Sequence, residues 1–257
     1  MKLPNLFIAG FPKCGTTYTA WKLHKLEAAR LPDIEIEEAT PWDSCQKEPA
    51  IMQREEREAI DLCERFYGGE QYRLDATASY IHHESALKKI GELDAKVIII
   101  MRHPVARVIS WWNHHQRELI EVDLRDHWRL PRGMTLDDLI TEILAGNEEQ
   151  DTILTGGLYH ERIEVLLKYN KRENVHFAYL EELRYNPVKY FMDIYSFLEL
   201  KPPQYKEAYV PRNEGINLQV PNQIVERLCR YYTETIRETK KIVGRVPDSW
   251  KEEYEQA

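Results

Sequence analysis

The chain has 257 residues and a formal net charge of −8. That length suits one α/β domain with a sizeable core, and residues 1–257 are read as a single domain. The acidic balance argues against nucleic acid or another polyanion as the main partner and favours a small neutral or cationic one. No apolar run approaches the length needed to span a bilayer, and Met1-Lys2-Leu3-Pro4 leads straight into the first apolar stretch. The expectation is a cytoplasmic protein without membrane contact. Cys14, Cys45, Cys63 and Cys229 lack C-x-x-C spacing, which fits reduced thiols.

The first element is a buried strand ending at Gly10, and apolar Tyr18, Trp21 and Leu26 then recur with roughly helical spacing. The stretch between them is a strand-to-helix turn, a structure suited to holding phosphate. Amides at the helix start and the helix dipole favour an anion, Gly10 and Gly15 let the backbone come close, and Thr16 and Thr17 add hydroxyls. Gly10 and Gly15 are spaced as in the triphosphate loop G-x-x-x-x-G-K-[ST], yet Thr16 follows Gly15. The loop's one lysine is Lys13, at its crown, and that displacement argues against ATP or GTP. Cys14, at a helix start, is also a candidate nucleophile, although no His or Asp partner is near in sequence.

Pro12-Lys13-Cys14-Gly15-Thr16-Thr17 resembles the P-K-x-G-T-[ST] loop of sulfotransferases. The resemblance implies that these six residues bind the 5′-phosphosulfate of 3′-phosphoadenosine 5′-phosphosulfate (PAPS), with Lys13 catalytic. Sulfuryl transfer also needs a base for the acceptor's proton. After the first helix, Ile34 and Ile36 alternate with acids in a short predicted strand that breaks at Pro41. Here Glu38 best matches the glutamate base of the family's K-E-x-x-F-F-like segment. Glu37 stands where the family often has lysine and no Phe-Phe pair follows, so Glu35, Glu37 and Asp43 stay open as bases. Such an acidic cluster also suits a cationic acceptor.

Glu55 to Tyr67 reads as an amphipathic helix with Ile60, Leu62, Phe66 and Tyr67 as its apolar side, stopped by Gly68-Gly69. Tyr72 to Tyr80 reads as a strand running into a loop. It is similar to the family's D-x-[ST]-P-x-Y element, with Ala78 in place of the proline and Ala76 where some members carry a second lysine. His82 and His83 follow, either as further candidate bases or as a pair capping a helix.

Lys96 to Met101 carries four consecutive β-branched residues, the mark of a strand buried on both faces. Pro104 falls at the first turn of the following helix. Arg102 and Ser110 keep the eight-residue spacing of the R-x-P-x-x-[RV]-x-x-S pattern, which resembles the family's 3′-phosphate site. Met134 to Leu144 is a further helix capped by Thr135. Gly156-Gly157 breaks the chain before a helix from Leu158 to Tyr169, similar to the family's G-x-Y-x-x-x-L-x-x-[WY] framework. Val175 to Leu180 is a strand, followed by an acidic turn at Glu181-Glu182-Leu183 and a helix from Val188 to Leu198. Arg212, in the loop before a helix from Pro221 to about Val243, is a further phosphate candidate. Gly244 to Trp250 looks like the family's terminal G-R-x-x-x-x-W.

The resemblance covers nearly the whole chain and is nearest in motif pattern to the Golgi-type and bacterial heparan-sulfate-like sulfotransferase domain. It implies an α/β, three-layer P-loop-like fold with a central, mainly parallel sheet flanked by helices, as the alternation of strands and helices also suggests. It further implies PAPS as co-substrate, no metal, and transfer to a hydroxyl or amine of a small-molecule acceptor. Two rival readings are a kinase with a variant phosphate loop and a non-catalytic nucleotide-binding protein. Mg-ATP binding marks the first, and tight binding of 3′,5′-adenosine bisphosphate without transfer marks the second.

Overall fold

Strand β1, Leu6–Gly10, is buried at all five positions, as its apolar run demands. The computed structural model describes residues 3–31, 48–121, 134–145, 152–202 and 220–250. Within these residues β1 is followed by helix α1 (Thr16–Lys25), α2 (Glu56–Phe66), strand β2 (Leu74–Asp75), α3 (Glu84–Glu92) and β3 (Lys96–Met101). Then come α4 (Pro104–Glu121), α5 (Leu136–Leu144), α6 (Thr152–Thr155), α7 (Tyr159–Tyr169), β4 (Val175–Tyr179), α8 (Leu180–Tyr185), α9 (Pro187–Phe197) and α10 (Asn222–Val243).

The described residues up to Met101, with those of Arg162–Arg212, form one compact unit, and those of Arg102–Glu161 and Asn213–Ala257 form another. The first unit holds the sheet. Its strand order is β2-β1-β3-β4 and every pairing among the described residues is parallel. Leu6 lies opposite both Leu74 and Lys96, and Val97 lies opposite Val175. The β1–β3 register shifts between Ile8 and Gly10, an irregularity that re-aims the end of β1 where its loop begins. Gly10 is required there, because a Cβ would stand 2.8 Å from Cβ of Ile81.

Three elements differ from the sequence reading. Between Tyr72 and Tyr80 only Leu74–Asp75 pairs as strand, and Ala78–His82 turns into a 3-10 helix. The Asp75 side chain collects donors from Thr77 and Tyr80, and this local bonding competes with further sheet pairing. The expected acidic turn is helix α8, with Glu181 and Glu182 in its first turn, where the dipole favours acids. Asn186 ends α8 and caps α9, its Oδ1 accepting from the Lys189 amide at 3.0 Å ahead of Pro187. On α2, Ala59 and Cys63 are buried while Ile60 and Leu62 are half-buried. Tyr67 has already left the helix in extended conformation and donates its hydroxyl to the Leu74 carbonyl at 2.8 Å.

The second unit is a helical cluster with its own core. Val105, Val108 and Trp112 of α4 pack with Leu139 of α5 and Leu228 and Tyr232 of α10. Thr135 begins α5 with a reciprocal capping box: its hydroxyl accepts from the Asp138 amide at 3.1 Å, and its own amide donates to the Asp138 carboxylate at 2.9 Å. Buried Arg107 donates to the Ile153 carbonyl at 2.9 Å and Tyr232 to the Leu154 carbonyl at 2.7 Å, so both satisfy groups of the short α6. No helix among the described residues is long and apolar enough to cross a membrane.

Candidate nucleotide site

The strand order reverses direction at β1. Its successor β2 lies on one side and β3 on the other. In a parallel sheet the crevice for a ligand opens outside the carboxyl ends of the strands at such a point. The Pro12 to Thr17 motif starts there. The loop Phe11 to Gly15 leaves β1, and the Phe11 amide donates to the Ile100 carbonyl at 2.7 Å, two residues before Arg102.

Within the loop, Cys14 and Thr16 are buried, whereas Pro12, Lys13, Gly15 and Thr17 are half-buried. The inward Cys14 thiol donates to the Pro12 carbonyl at 3.6 Å, a bracing contact that leaves it no role as an exposed nucleophile. Gly15 is the N-cap of α1 at φ 86°, and a Cβ there would stand 2.8 Å from Cδ1 of Leu180, so both backbone and space call for glycine. The first helical bond runs from the Thr19 amide to the Gly15 carbonyl at 3.1 Å, ahead of which the amides of Thr16 and Thr17 lie outside the helix's own ladder. No acidic residue occupies the first turn. Lys13 has φ 67°, in the left-handed region that favours glycine. This donor set, a helix N-terminus with hydroxyls and a lysine, fits a phosphosulfate group.

Asp75, on β2 opposite Phe7 of β1, is fully buried and accepts hydrogen bonds from Thr77 and Tyr80. Its Oδ1 takes the Thr77 amide at 3.1 Å and the Thr77 hydroxyl at 2.6 Å, and Oδ2 takes the Tyr80 hydroxyl at 2.6 Å. Burial pushes its carboxyl up to about 6, against the pull of those bonds. The Tyr80 hydroxyl also accepts from the Met52 amide at 2.9 Å, and the Thr77 hydroxyl from the Ala50 amide at 3.0 Å. Asp75 thus clasps residues 50–52 to the sheet, a role that sequence reasoning missed. The two histidines part company: His82 is half-buried with its ring 6.1 Å from that of Phe11, whereas His83 is exposed at the N-cap of α3.

In the second unit, Arg102 and Ser110 are both half-buried, Arg102 just ahead of α4 and Ser110 two turns along it. The Arg102 carbonyl accepts from the Tyr159 hydroxyl at 2.7 Å. His103 is buried, and desolvation, aided by the Arg102 charge, lowers its pKa to about 4, so its ring is neutral at physiological pH. The structure therefore gathers Pro12 to Thr17 with Asp75 to His82 in one unit and Arg102 with Ser110 in the other. Glu35, Glu37, Glu38, Asp43 and Arg212 lie outside the described residues.

The fold resembles that of a sulfotransferase from Alicyclobacillus acidocaldarius, with a TM-score of 0.72 at 20% identity over 97% of this chain and 99% of that one. It also resembles a sulfotransferase domain from the curacin biosynthetic pathway, with a TM-score of 0.52 at 15% identity over 96% of this chain and 100% of that one. In sequence, 137 residues are 26% identical to the bifunctional heparan sulfate N-deacetylase/N-sulfotransferase of Drosophila melanogaster, a match taking in 52% of this chain and 13% of that protein. The sulfotransferase domain family matches across residues 3–220, so the chain belongs to that family.

Proposed function

We propose that the chain works as one catalytic domain that moves a sulfuryl group from PAPS to a hydroxyl or amine of a small-molecule acceptor. The observation that carries this reading is the Phe11–Ile100 hydrogen bond. It ties the Lys13 loop to the strand that feeds Arg102, at the point where the strand order reverses. In this reading the backbone from Pro12 to Thr17 holds the 5′-phosphosulfate, Arg102 and Ser110 hold the 3′-phosphate, and Arg212 adds a further phosphate contact. Bound PAPS supplies a sulfuryl group on a phosphate leaving group. Glu38 takes the acceptor's proton as the new bond to sulfur forms, and the Lys13 ammonium stabilises charge on the departing phosphate oxygen. Glu38 is chosen on its motif, and His82, next to Phe11, is the alternative that the described residues favour over His83. Positioning and electrostatics supply most of the acceleration, as in phosphoryl transfer.

The net charge of −8 and the acids from Glu35 to Asp43 favour a small hydroxylated or cationic acceptor over a glycosaminoglycan. The expected location is the cytoplasm. Isothermal titration with 3′,5′-adenosine bisphosphate beside Mg-ATP tests the nucleotide reading. Tight binding of the bisphosphate alone is the expected result, and binding of Mg-ATP alone rejects it. Transfer from PAPS to a panel of small alcohols and amines, set beside heparan chains, then tests the acceptor class.

A further inference from the structure

The Arg102-His103 link between β3 and α4 is held by residues far away in sequence. The Tyr159 hydroxyl donates to the Arg102 carbonyl at 2.7 Å. The His103 ring meets that of Trp250 edge to face, with centroids 5.9 Å apart at 69°, and the Tyr159 ring lies 5.9 Å from Trp250 at 34°. All three rings are buried, Trp250 to 1% exposure. Trp250 closes a 3-10 turn, Asp248–Trp250, in which its amide donates to the Pro247 carbonyl at 3.0 Å. The His103 carbonyl in turn accepts from the Arg107 amide at 2.9 Å, so His103 starts the hydrogen-bond ladder of α4.

A guanidinium meets a phosphate through a planar, directional fork, and its aim follows the backbone that carries it. The Tyr159 bond fixes the plane of the Arg102 peptide, and Trp250 fixes the next residue through the His103 ring. Tyr159 belongs to the G-x-Y motif, read from sequence as framework, and Trp250 to the G-R-x-x-x-x-W motif, to which the sequence assigned no role. We propose that Tyr159 and Trp250 are positioning residues for 3′-phosphate recognition. They lock the Arg102-His103 link so that the Arg102 guanidinium is aimed at the 3′-phosphate, and they thereby set the preference for nucleotides that carry it. The inference rests on the reading of Arg102 as a 3′-phosphate contact.

The test is isothermal titration of the full chain with 3′,5′-adenosine bisphosphate and, separately, 5′-AMP, for wild type, Tyr159→Phe, Trp250→Ala, Trp250→Phe and Arg102→Ala. Tyr159→Phe keeps the ring and its packing and loses only the hydroxyl. It is expected to weaken bisphosphate binding about five- to tenfold, the scale of one hydrogen bond, with 5′-AMP binding unchanged. Trp250→Ala is expected to lose more and Trp250→Phe to recover most of it. Should Trp250→Ala fail to fold, Tyr159→Phe decides. Equal losses for both nucleotides, or no loss for either, in Tyr159→Phe overturn the inference. Arg102→Ala separates the two readings. If it keeps the full preference for the bisphosphate, the 3′-phosphate reading fails and takes the inference with it. If it abolishes the preference while Tyr159→Phe keeps it, only the inference fails.

Discussion

The Tyr80 hydroxyl donates to Oδ2 of Asp75 at 2.6 Å, and both residues are buried. Because burial raises the Asp75 carboxyl from 3.8 to about 6, the folded chain binds this proton more readily than the unfolded one. Its stabilising contribution is therefore complete below pH 3.8 and is lost as pH rises through about 6. The loss amounts to about 3 kcal/mol. Urea unfolding of wild type and Asp75→Asn, from about pH 4 to about pH 7.5, reads this directly. The stability of wild type relative to the variant is expected to fall across that window. A flat difference places the titration elsewhere.

Much of this architecture was legible in the sequence because it depends on local rules. Four β-branched residues in a row, Val97 to Ile100, read as a strand buried on both faces, and all four are buried in β3. Thr135 reads as a cap and is one, its hydroxyl accepting from the Asp138 amide. What sequence hid depends on distance. Asp75 turns from strand to clasp only because Met52 and Ala50 bring their amides to Tyr80 and Thr77. Nothing near Tyr159 in sequence foretells that its hydroxyl meets Arg102, 57 residues away. Helix α8 was hidden for another reason: its six residues are too few to show a period, and its acids read equally well as a turn.

His103 imposes the opposite pH dependence. Desolvation first, and the Arg102 charge second, lower its pKa from 6.5 to about 4, so the unfolded chain takes up a proton that the folded chain refuses. Its contribution to stability is present above pH 6.5 and is lost as pH falls through about 4. The loss reaches roughly 3 kcal/mol. His103→Phe keeps an aromatic edge against Trp250 and removes the titration. The variant is expected to hold its stability better than wild type as acid is added, measured by urea midpoints on either side of this range. Parallel acid profiles reject the assignment.

Gly15→Ala combines two penalties, a side chain at φ 86° and a Cβ placed 2.8 Å from Cδ1 of Leu180. Together they are expected to cost about 1–3 kcal/mol and to weaken bisphosphate binding, because the cap of α1 shifts. Leu180→Ala opens a buried space of its own, so the informative quantity is the coupling in a double-mutant cycle. Gly15→Ala is expected to be milder in the Leu180→Ala background by about 0.5–3 kcal/mol. Strict additivity leaves the backbone strain alone as the cause.

Lys13 allows stability and catalysis to be separated at one position. At φ 67° its backbone suits glycine better than any residue with a Cβ. Lys13→Gly relieves that strain while making the unfolded chain more flexible, and the two effects leave stability within about 1 kcal/mol of wild type. Lys13→Ala has no such relief. Both variants lose the ammonium group, which as a charge-stabilising donor is worth roughly 3–4 kcal/mol in the transition state, a fall of about 10²–10³ in kcat. The expected pattern is equal catalytic loss in two variants of unequal stability, read by single-turnover transfer from PAPS beside thermal melts. If kcat follows the melts, Lys13 acts by shaping the loop. If kcat falls alike in both while the melts differ, the ammonium itself carries the chemistry.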